Sequence, residues 1–248
     1  SNPLLPGAEE CLMNQRIVFM KKLITFLLLL ALFSCNDKNR EYPDPVEFAW
    51  DFNGGTEGWT GDFAGYPMED EELYELTFEH DTLPEPLPQN QFALKLSGNN
   101  HGNNLFMFAK RKVTGLQPNT TYYTTFTIEF ASDVADETVV AGRLLGESIQ
   151  IKAGATIAEP VKNSDSENIG QLSIDKGNQN EDGDDMVVVG DFANGTKQAV
   201  YTLKTISNEK PFHITTGDSD ELWLIVGTDS GFETTTTIYF NKIKVEFY

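Results

Sequence analysis

The side chains best suited to holding a ligand crowd into two short segments of this 248-residue chain. The first is Asn99-Asn100-His101-Gly102-Asn103-Asn104. Amide side chains both donate and accept, which suits sugar hydroxyls, and His101 adds one more hydrogen-bonding group. An aromatic face from Trp59, Tyr66 or Phe106 would complete a platform of stacking plus amides. The same Asn and Gly residues also meet the needs of a tight turn between two strands, and both readings stay open. The second segment is acidic and spans 175–185. Its pattern Asn178-x-Asn180-x-Asp182-Gly183, with Asp184 next, echoes a calcium loop in which alternate oxygens converge and Gly permits the sharp turn. Val189 stands where an EF-hand has its bidentate carboxylate. A non-EF calcium site and a solvated acidic loop are therefore the two readings of this segment.

Residues for catalysis are harder to find. His80, His101 and His213 are scattered, with no spacing that suggests zinc. No G-x-S-x-G elbow occurs. The cluster from Glu69 to Glu72 reads as an exposed charged turn, and with 38 acids no particular carboxylate pair stands out as a glycosidase dyad. The two cysteines are Cys11 and Cys35, which leaves the region after residue 35 without a thiol nucleophile. No catalytic residue is assigned. Eighteen Lys and Arg against those acids give a formal net charge of −20. Such a surface repels phosphate backbones, so nucleic acid is excluded as a partner. It offers nothing to anionic headgroups either.

Positioning these loops requires strands. Over 122–130, Tyr122, Thr124, Phe126, Ile128 and Phe130 share one face and Tyr123, Thr125, Thr127 and Glu129 the other. Further strands are expected at 92–96, 105–109, 148–152, 186–189, 200–204, 222–226 and 235–240. At the end Ile243, Val245 and Phe247 alternate with Lys242, Lys244 and Glu246. Helical periodicity is confined to a weak turn at 69–74. Many short strands between Gly, Asn, Asp and Pro clusters predict a sandwich or barrel. The stretch 175–185 reads as a long loop in preference to a linker.

Ahead of these strands, Met20-Lys-Lys leads into an apolar run from Leu23 to Phe33, followed by Ser34 and Cys35. Charged start, short apolar run and small residue before the cysteine resemble a bacterial lipoprotein signal. An 11-residue apolar run is short of the roughly 20 residues a membrane span needs. The resemblance implies cleavage before Cys35, acylation of its thiol, and a lipid-anchored envelope protein, with the outer membrane as the expected address. Residues 1–19 read as an upstream extension, 20–34 as the signal peptide, 35–46 as the tether and 47–248 as one β-sandwich domain.

Two ends of that domain carry a second resemblance. Phe48-Ala-Trp-Asp-Phe-Asn-Gly-Gly-Thr-Glu-Gly-Trp59 is similar to the first strand of galactose-binding-like jelly rolls, the fold of many carbohydrate-binding modules. Thr237-Ile-Tyr-Phe-Asn241-Lys-Ile-Lys-Val-Glu-Phe is similar to their last strand, with Asn241 and Lys242 in place of an acidic pair that supports a structural calcium in many of them. Leu116, Pro118 and Tyr122 resemble a tyrosine corner, which fibronectin type III domains share. The segments 97–108 and 224–232 resemble uncharacterised bacterial envelope proteins. Together these imply an all-β, jelly-roll-like antiparallel sandwich of galactose-binding-like type. The expected function is non-catalytic, with carbohydrate as the leading ligand class. The alternatives are a structural or assembly lipoprotein that binds another envelope protein and, behind it, a glycoside hydrolase.

Overall fold

Period-two alternation sets the strands, and the computed structural model, which describes residues 44–248, has them where the pattern is strongest. In chain order they are β1 (Val46–Trp50), β2 (Thr60–Ala64), β3 (Tyr66–Pro67), β4 (Thr77–Thr82), β5 (Phe92–Asn99) and β6 (Phe106–Val113). Next come β7 (Thr121–Ser132), β8 (Val139–Val140), β9 (Arg143–Leu144), β10 (Ile149–Thr156), β11 (Lys162–Ser164) and β12 (Ile169–Leu172). The chain closes with β13 (Met186–Asp191), β14 (Thr202–Ser207), β15 (Phe212–Thr215), β16 (Leu222–Ser230) and β17 (Thr235–Phe247). The signal segment, Cys35 and the tether up to residue 43 lie outside the described residues.

The fold is an all-β, jelly-roll-like antiparallel sandwich. One sheet runs β14-β7-β17-β5-β4, with β1 added on β17 and β15 on β7; the other runs β13-β10-β16-β6-β2. First and last strands are neighbours, Val46 facing Phe247 and Trp50 facing Ile243. The inward residues of both sheets form one core that includes Leu94, Phe126, Ile128, Ile151, Leu224 and Ile243. All five residues expected on the inner face of β7, from Tyr122 to Phe130, are fully buried. The Tyr122 hydroxyl accepts the Gln117 N–H at 2.9 Å, so the tyrosine corner is present.

Two local features follow from sequence. On β17 the inward set changes parity, from Ile238 and Phe240 to Ile243, Val245 and Phe247. One extra residue must absorb that change, and a bulge falls between Phe240 and Lys242. Asn241, the extra residue, donates to Glu129 Oε1 at 2.7 Å. The strand expected at 200–204 begins two residues later, because the Val200 carbonyl accepts from Asn194 Nδ2 and Thr202 Oγ1 in a turn.

β10 and β13 pair directly, so the 175–185 stretch lies within one sheet's connection. That connection, residues 157–185, lies over the outer face of the five-stranded sheet. Leu172 and Ile174 pack on Phe106, Phe108, Met186 and Ile225 as a second small core. Phe106 to Lys110 are consequently buried in succession, and alternation disappears there because both faces are covered. Within the connection, β11 pairs β12, and β12 pairs β3.

Candidate functional site

The amide-rich segment 99–104 leaves β5 at the end of the sandwich where β17 begins, Asn99 facing Thr235. Asn100 is only 2% exposed. Its Nδ2 donates to the carbonyls of Ser230 (2.9 Å) and Phe232 (3.0 Å), and its Oδ1 accepts the Gly102 N–H. Asn103, at a positive φ of 58°, donates to Glu233 Oε1 at 2.9 Å and accepts Gln179 Nε2 on its carbonyl at 2.8 Å. These bonds hold the turn and leave His101 and Asn104 facing solvent.

His101 and Asn104 line a cleft of about 590 Å³. A 3-10 turn, Met68–Tyr74, supplies a second wall with Asp70, Leu73 and Tyr74. His101 Nε2 meets the Leu73 carbonyl at 3.0 Å, and because a carbonyl only accepts, that nitrogen carries the proton. The imidazole stands edge-on to Tyr74, centroids 5.4 Å apart. Burial raises the Tyr74 phenol above its usual range, with Asp70 and Glu233 adding to the effect. Leu73 is 59% exposed, an apolar side chain left open at the rim.

The third wall is the β11–β12 hairpin, with Asp165 and Glu167 from its turn and Gln171 from β12. Asp165 Oδ1 accepts the Glu167 and Ile169 amides, both at 2.9 Å, and Oδ2 accepts Gln171 Nε2 at 3.1 Å. The Ile169 amide in particular holds this carboxyl below its ordinary range. Gly65 joins the walls: at φ +80° its N–H reaches the Gly170 carbonyl, and an added Cβ would fall 1.9 Å from the Asn104 carbonyl. Beneath, the Tyr66 hydroxyl donates to Glu71 Oε2 and accepts from Lys162 Nζ, each at 2.5 Å.

None of the three aromatic residues offered for stacking lines the cleft. Trp59 is 1% exposed and packs edge-to-face on Trp50 and Phe52. Tyr66 is buried beside Tyr74 and Lys162, and Phe106 stacks on Phe108 in the second core. None presents a ring face to solvent. Asn99 is half-buried within β5. Sequence reasoning does not single out Leu73, Tyr74 or Gln171. The one signal for them is an apolar pair, Leu73-Tyr74, ending an acidic run.

Of the side chains offered to calcium, Asn178 donates to Glu181 Oε2 at 3.0 Å and Asp182 accepts the Val188 amide at 2.8 Å. Asn180, Asp182 and Asp184 are all exposed. Backbone carbonyls of the loop point to an ammonium, that of Lys152. Among the described residues, no group of three or more His, Cys, Asp or Glu is disposed to hold a metal ion.

No family model matches the chain, and no curated protein sequence does. Among solved structures, it is similar to the xylan-binding domain CBM22-1 of Paenibacillus barcinonensis Xyn10C, at 10% identity and TM-score 0.38, covering 81% of this chain and 92% of that one. It is also similar to the family 11 carbohydrate-binding module of Clostridium thermocellum Lic26A-Cel5E, at 9% identity and TM-score 0.38, covering 81% and 94%. A third is the enzymatically active domain of bacteriophage CBA120 tailspike protein 4, at 7% identity and TM-score 0.34 over 76% of this chain; the match spans 19% of that protein.

Proposed function

We propose that the sandwich is a non-catalytic binding module whose cleft takes a neutral, hydroxyl-rich ligand of the carbohydrate class. The observation that carries this reading is the make-up of the lining. Asp70, Asp165 and Glu167 accept hydrogen bonds, Asn104 and Gln171 bring amides, and His101 brings an imidazole; Lys and Arg are absent from the lining. Hydroxyls satisfy such a set, whereas phosphate, sulfate or uronate groups meet repulsion. The exposed Leu73 offers the apolar contact for a sugar's C–H face. Catalysis has no comparable support. Asp165 has its oxygens bonded to three donors and its carboxyl held below the ordinary range, the opposite of a general acid.

The reading includes the anchor. The segment from Met20 to Cys35 supports acylation of Cys35 and an envelope address, the outer membrane by our reading. Ten residues, 36–45, separate Cys35 from β1 and reach at most ~35 Å. Metabolic labelling with a fatty-acid analogue should mark the wild type and not Cys35→Ala. Label retained by the variant would overturn the anchor.

A glycan screen of the protein beginning at Asn36, run with neutral and acidic glycans, tests the module. Saturable binding confined to neutral glycans supports the reading; a preference for acidic glycans rules it out. A second reading, an assembly protein, draws on the β8–β9 hairpin, where Val139 is 62% and Val140 40% exposed. A screen with no binding glycan would shift weight to that hairpin.

A further inference from the structure

Lys152 projects from β10 onto the outer face of the five-stranded sheet and is 0% exposed. Its Nζ donates to the carbonyls of Lys176 (2.6 Å), Glu181 (2.9 Å) and Asn178. Asp229, from β16 alongside, places Oδ2 at 3.7 Å from that ammonium and 2.5 Å from Lys176 Nζ. The second oxygen, Oδ1, is buried and has no hydrogen-bond partner among the described residues. Burying an ammonium is costly unless its protons are met, and here three carbonyls meet three protons. Carbonyls converging beside a buried carboxylate are also the donor set of a hard cation.

The loop is shaped to present those carbonyls. Asp175 accepts the amides of Gly177 and Asp184, and its carbonyl accepts the Asp185 N–H, closing the two ends together. Gly177 sits at φ +68°, where an added Cβ would come 2.5 Å from the Glu181 carbonyl. From the same loop Gln179 reaches across to the Asn103 carbonyl, in the turn that carries His101 and Asn104.

We propose that the Lys152 ammonium is the resident cation of the acidic loop, filling a carbonyl–carboxylate site that takes a small cation once the side chain is removed. Through Gln179 the filled loop also positions the Asn103 turn on the cleft wall. The first statement stands alone; the second rests on the binding reading above.

Lys152→Ala removes the ammonium and leaves its space, while Lys152→Met fills the space without charge. Amide hydrogen exchange at Glu181, Gly183 and Asp184 is expected to quicken roughly tenfold or more in both variants. Propylammonium should restore slow exchange in Lys152→Ala and leave Lys152→Met unchanged. Wild-type exchange rates in both variants, or an equal response of the two to propylammonium, overturn the proposal. A measurement on the wild type needs no variant to fold: calcium and chelator should both leave its loop exchange unaltered. Calcium-dependent protection there would overturn the assignment of Lys152 as the occupant. For the cleft, glycan affinity should weaken several-fold in Lys152→Met, and unchanged affinity would remove the positioning role. If the wild type binds no glycan, the binding reading fails while the exchange results still decide the occupant.

Discussion

Asn100 and His101 are adjacent in sequence and have unlike roles. The Asn100 amide ties down two carbonyls more than 100 residues away in sequence, so it belongs to the scaffold of the turn. Asn100→Ala removes a buried donor from the Ser230 and Phe232 carbonyls, of which the latter keeps Ser230 Oγ and the Thr234 N–H, and a loss of about 1–3 kcal/mol of stability is expected in denaturant melts. His101→Ala removes an exposed ring with its bond to the Leu73 carbonyl, and should lower the melting midpoint less than Asn100→Ala while weakening ligand binding. Composition alone shows the six residues 99–104 as polar and turn-prone. It does not tell which amide turns inward, because the partners lie on a different strand connection. Lys152 was equally illegible: the carbonyls that hold it carry no side-chain signal. Burial brings its ammonium down to about 8, against attraction to Asp229, with Lys176 opposing and Asp182 and Asp175 assisting the charge. The unfolded chain keeps that proton to about 10.5, so between the two values it binds more protons than the folded chain. Stability of the wild type relative to Lys152→Met should therefore be flat below pH 8 and rise as pH climbs through that window. A fall across the window, followed in melts at a series of pH values, would contradict that downward shift.

Strand β17 shows how far an element can be read from its pattern. Its two apolar sets, even-numbered then odd-numbered, demand an extra residue between Phe240 and Ile243, and Asn241 is that residue. Deleting Asn241 restores plain alternation, with Phe240 and Ile243 both inward; deleting Lys244 turns Val245 and Phe247 to solvent. The first deletion should cost little beyond the Asn241–Glu129 hydrogen bond, on the order of 1 kcal/mol, and the second should abolish folding. Circular dichroism melts of both proteins check this, and equal damage would contradict the bulge. Other elements left weak traces. β3, β8 and β9 are two residues each, too short for any period to appear. The 3-10 turn that supplies Leu73 and Tyr74 shows only as acids followed by an apolar pair, which is why the cleft's second wall went unmarked.

At the scale of the whole molecule, the cleft and the start of the sandwich lie at opposite ends. Val46 pairs with Phe247 at one end of β17, while Asn99 pairs with Thr235 at the other. Thirteen residues of strand separate them by roughly 40 Å. His101, Leu73 and Gln171 therefore lie toward the end of the sandwich opposite Val46. The net charge of −20 keeps anionic surfaces and polymers away from that end as from the rest of the surface. The measurement that bears most directly on this account is a calorimetric titration with matched neutral and acidic oligosaccharides, on the wild type, His101→Ala and Gln171→Ala. Binding of the neutral sugar alone, weakened in both variants while each stays folded, is expected. Preference for the acidic sugar, or binding untouched by both substitutions, would contradict the cleft as the site.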